Sequence, residues 1–96
     1  MTPPLFPTQE AIEWLAAAGR DIRLAELALD DNPPLAGESL YHAQQAAEKA
    51  LKAFLIANRV AYPLTHDIRK LLRMCEDVDR QLAAVRDEVV RRLAID

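Results

Sequence analysis

Glu38-Ser39-Leu40-Tyr41-His42-Ala43-Gln44-Gln45-Ala46-Ala47-Glu48-Lys49-Ala50-Leu51-Lys52-Ala53-Phe54-Leu55 contains no glycine, no proline and no β-branched residue. Ala, Leu, Gln, Glu and Lys all favour the helix, because their side chains lose little freedom there. The stretch predicts one long helix, opening near Glu38 or Ser39 and running to about Ala61, where Pro63 stops it. At about 100° per residue, Leu40, Ala43, Ala47, Leu51 and Phe54 share one side of it. Gln45, Lys49, Lys52, Ile56 and Arg59 share the opposite side. The expectation is an Ala-rich face packed tightly on a neighbouring helix, with a narrow positive stripe facing away.

Upstream, Thr8 is placed to cap a first helix that runs to about Asp30, with Glu10 in its first turn. Ile12, Leu15, Gly19, Ile22, Ala25 and Leu29 follow helical spacing and are its expected packing stripe; Gly19 within it suggests close helix approach. Asp30-Asp31-Asn32-Pro33-Pro34 is the strongest break in the chain. Downstream, Thr65 is the expected cap of a third helix, with Ile68, Leu71, Leu72 and Cys75 on its apolar face. Val78, Leu82, Val85, Val89 and Leu93 repeat at helical spacing and predict a fourth. Residues 1–7, with Pro3, Pro4 and Pro7, read as an extended lead-in, and 8–96 as a single domain. Short connections favour antiparallel neighbours, so the fold class is all-α, an up-and-down four-helix bundle.

Bulk properties agree. A length of 96 residues suits one domain, and 51% hydrophobic content with only 2 Gly suits a helical core. The formal net charge of −3 argues against a wholly basic nucleic-acid coat but leaves room for a local positive groove. The lone Cys75 excludes an internal disulfide and supplies no metal-ligand set, so neither a metal nor another cofactor is expected. No signal peptide and no membrane-length apolar run is visible, and a cytoplasmic location is the expectation.

The string His42 to Ala53, followed by Thr65-His66-Asp67-Ile68 and Leu71-Leu72, is similar to the HEPN domain family of prokaryotes. Asp21-Ile22 and Ala25 resemble the family's first helix, and the resemblance covers roughly residues 10–75. It implies a bundle of four or five helices, usually a homodimer. It also implies a small nucleotidyltransferase as partner, in pairs that resemble toxin–antitoxin modules. Many family members are metal-independent ribonucleases; others bind nucleotides or serve only as structure.

The ribonuclease signature of that family is an Arg and a His with four to six residues between them, and six residues lie between Arg59 and His66. An imidazole moves protons at neutral pH, and a guanidinium supplies fixed donors to phosphate oxygens. The resemblance thus makes Arg59 and His66 the candidate catalytic pair, set at the end of the second helix and the start of the third. Lys49, Lys52, Gln45 and His42 are the candidate RNA- or nucleotide-binding residues along the positive stripe. The bland alternatives stay open: a solvated charged face for the lysines, and a turn-fixing role for His66. The chain departs from the family in two places. Val60 follows Arg59 where active members carry a polar residue, and nothing after Cys75 resembles the family's Tyr…Arg-Tyr-Pro element. A non-catalytic structural, dimerising or regulatory subunit is the alternative reading.

Overall fold

The computed structural model describes residues 8–62, 64–81, 83–84, 87–88 and 91. Among them there are no strands, and three helices are delimited: α1 (Gln9–Asp30), α2 (Ala36–Ala57) and α3 (Ile68–Val78). Thr8 caps α1 as expected, its Oγ1 accepting from the Ala11 N–H at 3.1 Å. Further along, Gln81, Ala83, Ala84, Asp87, Glu88 and Arg91 have helical backbone, and Arg91 pairs with Glu88. Leu82, Val85, Val89 and Leu93, on which the expected fourth helix rests, lie outside the described residues, as do Pro63 and residues 1–7.

Helices α1 and α2 run antiparallel. Ser39 Oγ donates to the Ala25 carbonyl, His42 and Lys49 reach Asp21, and Lys52 lies over Trp14, so contacts climb α2 as they descend α1. The seam between the two helices is made of small residues. Ala11, Ala18 and Ala25 recur every seven residues on α1 and are buried with Ala46 and Ala53 of α2. The expected packing stripe of α1 is therefore displaced: Ile12, Leu15, Ile22 and Leu29 are each about half exposed. Gly19 shares that outer face, and nothing lies within 4 Å of where its Cβ would be, so it serves no close approach.

The same rotation applies to α2. Leu40 is 60% exposed and Ala43 and Ala47 face outward, whereas Lys52 is only 6% exposed. Two carboxylates in the helix interfaces, Asp21 and Glu48, explain the inversion. Each gives a lysine a partner inside, and a paired charge tolerates burial that a lone one does not.

Helix α2 also ends earlier than its pattern suggests. The Val60 N–H bonds to the Leu55 carbonyl and the Arg59 N–H to that of Ile56, with Arg59 in the left-handed region at φ 61°. This is a Schellman-type stop, so Arg59 lies beyond the helix. Helix α3 begins later than expected. Asp67, not Thr65, is its cap, Oδ1 accepting from the Arg69 and Lys70 N–H groups, while Thr65 Oγ1 accepts from the Asp67 N–H. Leu55, Leu71 and Cys75 are fully buried and lock α3 to α2, with Leu51, Phe54, Val60, Tyr62 and Met74 around them. Burial pushes the Cys75 thiol up to about 11, which keeps it an inert apolar filler. No described helix is long and apolar enough to cross a membrane.

Candidate functional site

Tyr41, Gln44, Gln45 and Glu48 follow i, i+3, i+4, i+7 spacing and so share one face of α2. The core contact of Leu71 and Cys75 brings the start of α3 over that face. Between them opens a cleft of about 370 Å³, lined by these four residues with His66, Asp67, Ile68 and Arg69. Of the candidate residues, Gln45 and His66 thus meet in one cleft.

The His66 imidazole is oriented from below. Its Nδ1 lies 3.0 Å from Glu48 Oε1 and 3.1 Å from Oε2. Lys52 Nζ donates to Glu48 Oε2 at 2.9 Å, and the same ammonium sits 5.4 Å from the Trp14 ring and 5.6 Å from that of Tyr62. Burial raises the affinity of Glu48 for a proton, but the hydrogen bonds from Lys52 and His66 outweigh it and hold the carboxyl below its ordinary range. An ionised carboxylate only accepts, so Nδ1 carries the proton toward Glu48. The Nε2 atom has no protein partner among the described residues and is free to accept or deliver a proton.

A second carboxylate organises the neighbouring stretch of α2. Asp21 of α1 accepts from Lys49 Nζ and lies 2.9 Å from His42 Nδ1. Its carboxyl is held low chiefly by the Lys49 hydrogen bond, against the opposing effect of burial. Lys49 and His42 are therefore tied to α1, and Lys52 to Glu48. The three do not form an open positive stripe. Arg59 is exposed on the α2–α3 connection and is not among the residues lining the cleft; Arg69 is.

A protein-family model, HEPN domain, matches residues 11–94. The chain belongs to the HEPN domain family. No curated protein and no solved structure gives a significant match. Membership supports a nucleotide- or RNA-related role for this HEPN domain.

Residue-type reasoning overlooked Glu48, Asp21 and Arg69. Glu48 stands four residues before Lys52 and reads locally as half of a surface pair. Its second partner, His66, is 18 residues away, and only the docking of α3 supplies it. Among the described residues, no group of three or more His, Cys, Asp or Glu is placed to hold a metal.

Proposed function

We propose that this HEPN domain binds RNA or a nucleotide in the α2–α3 cleft and cuts RNA there as a metal-independent ribonuclease. The observation that carries the reading is an exposed imidazole (86%) that lines the α2–α3 cleft and is anchored through Nδ1 to a buried carboxylate (5%). In this reading His66 Nε2 takes the proton of a ribose 2′-hydroxyl. The 2′-oxygen bonds to the adjacent phosphorus as the bond to the 5′-oxygen breaks, and the departing oxygen is protonated by water. The products are a 2′,3′-cyclic phosphate and a free 5′-hydroxyl. Arg69, which lines the cleft, is the cation for the phosphate, with Arg59 of the α2–α3 connection as the second candidate.

Family resemblance extends the proposal to a small nucleotidyltransferase partner, in a toxin–antitoxin-like pair, and to a homodimer. The outward face of α1 supports the homodimer. Ile12, Leu15, Gly19 and Ile22 keep the alternating three- and four-residue spacing of a helix–helix seam, Leu29 lies seven residues beyond Ile22, and the four large residues are about half exposed. One such face on each of two copies forms a self-complementary contact.

Purified protein should cut single-stranded RNA in the presence of a chelator and leave cyclic phosphate ends. His66→Ala should abolish cutting with helicity unchanged, because the side chain is exposed. Cutting that survives in His66→Ala would overturn the assignment of His66 as the catalytic base, and a wild-type protein that cuts no RNA would make the domain a non-catalytic subunit. Arg59→Ala and Arg69→Ala, compared in the same assay, decide which guanidinium serves the phosphate.

A further inference from the structure

The cleft is chemically two-ended. Along α2 it presents a phenol ring and two carboxamides, Tyr41, Gln44 and Gln45, and no cation. At the start of α3 it presents His66 and Arg69. Roughly two helical turns separate Tyr41 from Glu48, about 10 Å along the axis.

Tyr41 is 56% exposed, yet it is not loose. Its ring and that of His42 pack in a T, with centroids 5.2 Å apart and planes at 74°, and His42 is itself fixed by Asp21. A half-exposed aromatic braced in this way offers a pre-set face at the cleft. The adjoining carboxamides carry both donors and acceptors, suited to the edge of a base lying on that ring.

The phosphate end is equally constrained. Asp67 takes up the N–H groups of Arg69 and Lys70, so two of the opening N–H groups of α3 are already engaged. Positive charge for an incoming phosphate comes from side chains. Arg69, Lys70 and Arg73 are exposed and form no ion pair among the described residues. Glu48, the carboxylate beneath the cleft, is already matched by Lys52.

Resting on the reading of this cleft as an RNA or nucleotide site, we propose that it takes one unpaired nucleotide of an RNA strand. The base stacks on Tyr41 beside Gln44 and Gln45, and the phosphate lies at Arg69 and His66. The substrate class is then single-stranded, because a paired base in a duplex has both faces covered by its neighbours.

The test is fluorescence anisotropy of the full chain with a labelled, 2′-O-methylated RNA ten-mer, which cannot be cut, as a single strand and as a duplex. The single strand should bind about tenfold more tightly than the duplex. Tyr41→Ala should weaken single-strand binding by about tenfold, and Tyr41→Phe should leave it within about twofold. Arg69→Ala should weaken both forms and reduce the salt dependence. Equal binding of strand and duplex overturns the proposal, as does a Phe variant as weak as the Ala variant. If Tyr41→Ala binds like the wild type while Arg69→Ala is weak, base stacking is wrong and the cleft remains the phosphate site. If neither variant changes binding, the stacking proposal and the cleft reading fall together.

Discussion

The Nδ1 atom of His66 lies 3.0 Å from the carboxylate of Glu48, joining an almost fully exposed imidazole to an almost fully buried acid. Glu48 would not touch the reacting atoms, so its part is to position the ring and fix its tautomer. Glu48→Gln keeps the shape but removes the charge, and the carboxamide can present its NH₂ to Nδ1 and turn the ring proton outward. The expected result is a kcat for RNA cutting lowered by at least about tenfold with KM little changed. A change in KM alone, measured beside unaltered helicity, would assign Glu48 to binding rather than to positioning.

Lys52 tests the layer beneath. Its side chain is 8% exposed, and its nitrogen is shared between Glu48 and the rings of Trp14 and Tyr62. Lys52→Met leaves the Glu48 carboxylate buried without its counter-charge, and removing one partner of a buried pair costs about 3–5 kcal/mol. Adding Glu48→Gln to Lys52→Met should recover a large part of that loss in urea unfolding. A double variant no more stable than Lys52→Met would mean that packing on Trp14, not charge pairing, dominates.

The helices themselves were legible in the sequence, because Thr8, Pro33, Pro34 and the Ala-rich run are local signals. Which face of each helix turned inward was not. Ranking by hydrophobicity placed Leu40 inside and Lys52 outside, and the structure has them reversed, at 60% and 6% exposure. The reason is that Ala11, Ala18 and Ala25 permit a close seam, while Asp21 and Glu48 make lysine burial tolerable. Both effects depend on tertiary partners that a helical wheel does not contain. The cleft was half legible: His66 and Gln45 stood out by type, as did Tyr41 as an aromatic able to stack on a base, whereas Arg69 gained meaning only when α3 docked. The end of α2 was missed because an arginine rather than a glycine occupies the left-handed stop.

Acid should unfold the domain through the same two carboxylates. Asp21 and Glu48 both titrate below their ordinary values of 3.8 and 4.5. In that window the unfolded chain binds more protons than the folded one, so stability rises with pH. Their contribution is complete above the ordinary values and is lost as pH falls through the lower, folded ones. Unfolding free energy from these groups should be flat above about pH 5.5 and fall by up to about 1.4 kcal/mol per pH unit per group below about 4.5. Asp21→Asn and Glu48→Gln should each lower the plateau and flatten the slope. A slope unchanged in both variants would place the acid sensitivity elsewhere.

The outer face of α1 predicts self-association. Ile22 is 50% exposed near the middle of the spaced apolar residues, beside the open space at Gly19. Sedimentation equilibrium should give a dimer, and Ile22→Glu should weaken it by at least about tenfold, because two charges would be buried across a two-fold contact. Helicity should persist, since Ile22 is not part of the Ala seam. A wild-type monomer at concentrations of about 100 μM would refute the contact.

Arg59 permits a test that separates stability from chemistry. It holds φ 61° at the position after the α2 cap, where glycine is favoured because a Cβ meets the following carbonyl oxygen. Arg59→Gly should relieve that strain, offset in part by the greater freedom of glycine in the unfolded chain. The net expectation is a gain of roughly 0.5–1 kcal/mol, which for a domain of this size raises Tm by about 2–8 °C. If Arg59 also serves the phosphate, the same variant loses RNA cutting by about a hundredfold while becoming more stable. A variant that is stabilised and cuts normally would show that Arg59 only ends the helix, and would leave Arg69 as the guanidinium at the proposed site.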